Sequence, residues 1–207
     1  MLEARQLYFH FKGREKEPVI NGVNLRVEPG ERLGLLAPSG SGKTTLMRLL
    51  GGYLLPISGS VLADGSPLPR KGYCPVQMIW QHPEQALDPH LRMGRSLEEG
   101  GRVEPRIVEG LGIEEDWKKR YPGELSGGEL QRFCIARALG AETRYLLCDE
   151  ITTMMDLISQ SQIWQFLIRE AQERGLGLLV ASHSHELLEH VCTRQVELAQ
   201  LCREKSE

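Results

Sequence analysis

No stretch of the 207-residue chain reaches about 18 uninterrupted apolar residues, the length a helix needs to cross a bilayer. The first residues, MLEARQLYFHFKGREKEP, also lack the apolar run of a secretory leader. Work at a membrane would therefore need a partner that holds the chain there. An excess of positive charge is missing too. The 25 Lys and Arg against 28 Asp and Glu leave a net charge of -3, which gives no footprint for nucleic acid or anionic lipid. The five cysteines (Cys74, Cys134, Cys148, Cys192 and Cys202) include no Cys-x-x-Cys pair. Such a scattered, odd set reads as reduced thiols of a cytosolic protein, buried as small apolar side chains. The six histidines form no His-Glu-x-x-His or other ligand spacing, so no metal site built by protein side chains alone is expected. Internal repeats and low-complexity tracts are absent as well.

What is present fits one α/β domain. With 41% apolar and 26% charged residues, a chain of this length can build its core without staples. Strand-like pieces at 2–11 and 19–27 flank the charged stretch KGREKEP. In the second, Val23, Leu25 and Val27 alternate with Asn24 and Arg26, the period of a half-buried strand. The continuous apolar runs at 33–36, 76–80, 145–148 and 178–181 suit strands buried on both faces. Trp164, Leu167, Ile168 and Ala171 share one helix face. Alternation of strands and helices predicts a mostly parallel sheet covered on both sides, with an antiparallel β piece at the N-terminus. The segment 82–125 differs. It is broken by Pro83, Pro89, Pro105 and Pro122, carries helical pieces near 91–99 and 104–111, and is expected to form a short helical subdomain inserted between core segments 1–81 and 126–207.

Three elements carry chemistry. The stretch APSGSGKTT follows a buried strand and precedes the helix start LMRLL. Gly40, Ser41 and Gly42 let backbone N–H groups face an anion at a helix N-terminus. Lys43 would then reach phosphates, and the Thr44 hydroxyl would hold Mg²⁺. Ala37 stands where the pattern has its first glycine, a change that fits if its φ is negative. Next, YLLCDE is an apolar strand ending in two carboxylates. Asp149 can share the Mg²⁺ of Thr44, and Glu150 can orient and deprotonate a water that attacks the terminal phosphate. Last, Ser126 in LSGGELQR can cap a helix with Glu129 as its capping-box partner. Gly127 and Gly128 after the cap leave N–H groups bare, a second phosphate-binding helix end. Two such cradles suggest a nucleotide shared between two subunits.

Together these motifs resemble the ATP-binding subunits of ABC transporters over nearly the whole chain. APSGSGKTT, from Ala37 to Thr45, looks like the Walker A motif of that family, in which Ser39 to Thr45 would bind the nucleotide. LLCDE looks like its Walker B, and LSGGELQR like its signature. The resemblance implies a P-loop NTPase fold, ATP and Mg²⁺ as cofactors, and further roles. Gln81 would be the Q-loop glutamine that touches Mg²⁺ and water. Asp156 would be the D-loop aspartate, and His183, rather than its neighbour His185, the switch histidine on the γ-phosphate. Phe11, or less readily Tyr8, would stack on adenine. Two departures stand out. The D-loop reads ITTMMD where the family has PTSALD, and Glu129 replaces the usual Gln, which would bring a carboxylate near the γ-phosphate. Every group that does chemistry is retained, so an active ATPase is expected.

By that resemblance, ATP closes a head-to-tail dimer, either of two copies or with a different ATPase chain, and hydrolysis opens it. The motion would pass through segment 82–125 to integral-membrane permease subunits, with an extracytoplasmic substrate-binding protein acting indirectly. The chain itself would lie in the cytoplasm, peripheral on the inner face of the membrane. The stretch WQHPEQALDP is similar to the branch that imports oligopeptides, dipeptides and nickel or metal chelates. An alternative from another class is a soluble carbon–phosphorus lyase-like assembly, whose ABC-type subunits belong to the same branch. ABC ATPases of DNA repair or translation carry paired cassettes, coiled-coil inserts or basic surfaces, and none of these is visible.

Overall fold

A computed structural model describes residues 1–202. The chain begins with β1 (Leu2–Phe9) and β2 (Ile20–Val27), an antiparallel pair in which Leu2 faces Val27, Ala4 faces Leu25 and Leu7 faces Val23. These partners are buried on one side while Arg5, Asn24 and Arg26 face solvent, as alternation demands. Next come β3 (Arg32–Leu36), α1 (Lys43–Leu50), β4 (Ser58–Ala63) and the two-residue β5 (Ser66–Pro67). After β6 (Val76–Ile79), the chain between Pro83 and Glu124 holds three 3-10 turns and two short helices, α2 (Met93–Glu98) and α3 (Pro105–Gly110). The remainder is α4 (Gly127–Ala138), β7 (Tyr145–Asp149), α5 (Leu157–Arg174), β8 (Gly177–Ser182), α6 (His185–Val191), β9 (Arg194–Glu197) and α7 (Leu198–Leu201).

Two sheets result. An antiparallel one has the order β2-β1-β4-β5, and a parallel one has the order β6-β7-β8-β3-β9. Every residue of β7 and β8 is buried, which explains why their sequences are continuous apolar runs. Their side chains divide between two cores by the two-residue strand period. Tyr145, Leu147, Leu179 and Ala181 pack with Leu33 and Leu35, with the apolar face of α1 and with the antiparallel sheet. Leu146, Cys148, Leu178 and Val180 pack with α4, α5 and α6 and with Met93, Leu97 and Ile107. Truncating a fully buried residue such as Leu147 to alanine would cost about 2–5 kcal/mol. α5 ends where Gly175 turns left-handed, at φ 66°, and buries Trp164, Leu167 and Ala171 on the expected face.

The strand order sets the position of the site. β3 lies beside β8, and β8 beside β7, so the carboxyl ends of three parallel strands open into one crevice. Open α/β sheets bind ligands at such a crevice.

Candidate functional site

β3 releases the chain at Leu36, and residues 37–42 loop over to the start of α1. Ala37 is buried and keeps a negative φ, so its methyl group fits. Its N–H donates to the Ser182 carbonyl of β8 at 3.4 Å, and the Ser41 hydroxyl donates to the Pro38 carbonyl at 2.7 Å. Ser39 and Gly40 are exposed, and Thr45 is half-buried. Gly42 needs its missing side chain: φ is 103°, and a Cβ would lie 2.9 Å from Val19 Cγ1. Lys43 is 6% exposed, with its ammonium turned back into the loop. Nζ donates to the carbonyls of Ala37 (2.8 Å) and Pro38 (3.0 Å) and pairs with Glu150 Oε1 at 3.2 Å. An anion entering the loop would compete with these acceptors for the same cation.

The Thr44 hydroxyl donates to Asp149 Oδ2 at 2.6 Å. Burial pushes the Asp149 carboxyl pKa up, and the Thr44 hydrogen bond opposes the rise. Oδ1 of Asp149 is buried and has no hydrogen-bond partner. Such an orphan is costly, and a cation would remove the cost. Thr44 and Asp149 together form a hard-oxygen donor set that fits Mg²⁺, an ion that takes few protein ligands and completes its shell with phosphates and water. Among the described residues, no group of three or more His, Cys, Asp and Glu could hold a metal alone. Glu150 follows at φ 47°, a left-handed conformation that costs a side-chain-bearing residue about 1–2 kcal/mol. Its carboxylate is 8% exposed and lies between three groups: Lys43, Gln81 Nε2 at 3.4 Å and His183 Nδ1 at 3.3 Å. His185 pairs with Glu189 on α6 instead.

Two supporting residues escaped the sequence reading. Ser182 takes the Ala37 N–H on its carbonyl and the Ser184 N–H on its hydroxyl, so it ties His183 to the loop. Gln131 of α4 donates to the Trp80 carbonyl at 3.1 Å, one residue before Gln81. The Trp80 ring is further held by Arg48 at 5.0 Å and by the edge of Tyr53. Ser182 had no local signal, and although Gln131 lies within LSGGELQR nothing local marked this role, because both act through contacts distant in sequence.

The other predicted site residues lie apart from this cluster within the single chain. Ser126 caps α4 in a capping box: the Glu129 N–H donates to its hydroxyl at 3.3 Å, and its own N–H donates to Glu129 Oε2 at 2.6 Å. The Glu129 carboxylate is thereby turned back onto the helix end. Gly127 and Gly128 face Met154 and Met155 of the unusual ITTMMD stretch. Asp156 caps α5, accepting from the N–H groups of Ile158 and Ser159 at 3.0 Å each, and these bonds hold its carboxyl below the usual range. Phe11 is 42% exposed and meets Phe9 edge-on. None of these five residues hydrogen-bonds to Lys43, Thr44, Asp149 or Glu150.

A glycine-rich loop at the carboxyl end of a parallel strand, with a Thr–Asp pair beneath it, defines a P-loop nucleotide-binding cassette. The family model for ABC transporters matches residues 20–153. The putative oligopeptide transport ATP-binding protein YkfD of Bacillus subtilis is 31% identical over 94% of this chain and 66% of its own length. The methionine import ATP-binding protein MetN of Carboxydothermus hydrogenoformans is 32% identical over 94% and 62%. The nickel import ATP-binding protein NikE of Escherichia coli K12 is 32% identical over 89% and 76%. A solved ATP-binding cassette dimer, in a post-hydrolysis state with ADP and Pi, shares the fold with a TM-score of 0.83 at 24% identity, covering 100% and 98% of the two chains. The chain belongs to the ABC transporter family. It spans about two thirds of the length of YkfD and somewhat less of MetN.

Proposed function

We propose that the chain is the ATP-hydrolysing subunit of an ABC importer. The observation that carries this reading is the placement of Glu150 between Lys43, Gln81 and His183, directly beside the Thr44–Asp149 pair. ATP phosphates would lie over the N–H groups of residues 40–45, at the positive end of α1. Lys43 would exchange the carbonyls of Ala37 and Pro38 for phosphate oxygens. Mg²⁺ on Thr44 and Asp149 would neutralise phosphate charge as the terminal bond breaks. Glu150 would take the proton of the attacking water as its oxygen bonds to the γ-phosphorus and ADP departs. Gln81 and His183 would orient that water and the γ-phosphate.

Completion of the site falls to a second ATPase chain, either another copy or a different subunit. Its Ser126, Gly127 and Gly128 would approach the γ-phosphate head to tail, with Asp156 at the same interface and Phe11 against adenine. In this account the cap already formed by Ser126 and Glu129 keeps the helix end ordered and leaves the glycine N–H groups for the phosphate. Hydrolysis removes the anion that bridges the two chains, which biases the pair toward opening. The core 1–81 and 126–207 would bind nucleotide, and segment 82–125 would pass the motion to integral-membrane permease subunits. An extracytoplasmic binding protein would deliver substrate. The chain would sit on the cytoplasmic face of the membrane.

Peptides, nickel or metal chelates are the substrates we propose, and the likeness to MetN adds methionine. Affinity purification of the tagged chain from its native cells tests this reading. Two multi-span membrane proteins in the membrane fraction would support it. A soluble assembly of phosphonate-processing enzymes would overturn it.

A further inference from the structure

The register of β6 with β7 ends where Ile79 faces Cys148, and Gln81 lies two residues further on. The sheet therefore does not fix Gln81, and helix α4 takes over. Gln131 Nε2 donates to the Trp80 carbonyl at 3.1 Å, and the Cys134 thiol donates to the Pro83 carbonyl at 3.7 Å. A guanidinium N–H of Arg137 donates to the Ala86 carbonyl. These donors step by three along the helix, about 4.5 Å of rise each time, and the acceptors step by three along the chain. Segment 80–86 is thus fastened to α4 in one register, and Gln81 lies between the first two fastenings.

The first of them has a cost. Gln131 is 3% exposed, and its Oε1 is buried with no hydrogen-bond partner among the described residues. A buried acceptor left bare opposes folding. An apolar side chain of the same length, such as Met, would fill the space without that cost. Packing therefore does not account for an amide at this position, and the bond it donates beside Gln81 does.

We propose that Gln131 is a positioning residue for hydrolysis: through the Trp80 carbonyl it sets the place of Gln81, while Cys134 and Arg137 hold the far side of the same segment. The inference rests on the reading of Gln81 as a group that orients the attacking water, and it adds the residue that orients Gln81. Gln81 Nε2 stands 3.4 Å from Glu150 Oε2, at the limit of a hydrogen bond, so a small shift of its backbone takes it out of reach of that carboxylate. Misplacement by about 1 Å can slow a reaction about 10²-fold.

Gln131→Met removes the donor and keeps the length. Steady-state phosphate release is measured on the chain with the subunits that co-purify with it. The variant should show kcat at least about tenfold lower, with KM for ATP and MgATP affinity unchanged. In a Gln81→Ala background the same substitution should cost nothing further, because the residue it positions is gone. A role in the fold alone would give the same fall in both backgrounds. Gln131→Asn, an amide one methylene too short for the Trp80 carbonyl, should behave as Gln131→Met does. Wild-type kcat in Gln131→Met, or equal falls with and without Gln81, overturns the proposal. So does loss of MgATP affinity by both Gln131 variants, which would make Gln131 a support of the fold. Wild-type turnover in Gln81→Ala alone would strike the reading of Gln81 and this inference with it, a result separable from the others.

Discussion

Gly42→Ala probes the junction of the phosphate loop with α1. Gly42 has φ 103°, and a Cβ on it would meet Val19 Cγ1 at 2.9 Å and the Val19 carbonyl at 3.3 Å. The backbone conformation alone costs an alanine about 1–2 kcal/mol. Crowding against Val19 adds about 1–3 kcal/mol, because both a side chain and a carbonyl must yield. Gly40 supplies the control. Its φ is 76°, but a Cβ there meets nothing within 4 Å, so Gly40→Ala should carry only the backbone cost. At about 2–4 °C per kcal/mol for a chain of this size, Gly42→Ala should melt roughly 4–20 °C below wild type and clearly below Gly40→Ala. In a Val19→Ala background the Cγ1 contact is gone, and the added cost of Gly42→Ala should shrink toward that of Gly40→Ala. Thermal melts by circular dichroism read the stabilities, and calorimetry reads ATP affinity, which should fall because a shift at Gly42 moves the Lys43 N–H. Equal melting of the two alanine variants, or an undiminished penalty in the Val19→Ala background, would refute the reasoning.

Removing charge at Asp149 should help the fold and harm the site. Its carboxyl pKa is raised by burial, so the ionised form opposes folding, and that cost is fully present above the folded-state pKa. Without nucleotide, Asp149→Asn should therefore melt above wild type at pH 7. The gap should close as pH falls toward the ordinary aspartate pKa of about 3.9. The same variant should lose the dependence of ATP binding on Mg²⁺ in a metal titration. Lys43→Ala should weaken ATP by about 10–100-fold in equilibrium binding, the value of one or two charge-assisted hydrogen bonds. It should also lower the melting temperature, because Glu150, at 8% side-chain exposure, loses its cation.

Much of this architecture could be read from periodicity and local chemistry. The fully buried strands β7 and β8 announce themselves as apolar runs, and α5 as a single apolar face. β1 and β2 were also visible, although β1 stops at Phe9 where the alternation suggested Phe11. The strands β4, β5 and β9 were not. Their residues, SGSVLA, SP and RQVE, are mostly exposed or half-buried, and β5 and β9 are edge strands, so no apolar pattern marks them. The short α6 and α7 likewise offer too few turns for a period to show. At the site, Lys43, Thr44, Asp149 and Glu150 lie on strand ends and a helix start, where local sequence sets position. The gathering of Gln81 and His183 around Glu150 comes from strand order, and sequence reached it only through family resemblance. The capping box of Ser126 with Glu129, legible in the sequence from the three-residue spacing, is formed in the structure, a local bond that a Glu or Gln at this position makes.

The central claim is that Glu150 is the base of an ATPase site. Phosphate release from ATP and Mg²⁺ by the purified chain, alone and with the subunits that co-purify with it, tests this for wild type and Glu150→Gln. The amide is isosteric and leaves Lys43 bonded to the carbonyls of Ala37 and Pro38, so ATP should bind at least as tightly. Turnover should fall by about 10²–10⁴-fold, the usual contribution of a positioned general base. Hydrolysis by Glu150→Gln at the wild-type rate would contradict the account.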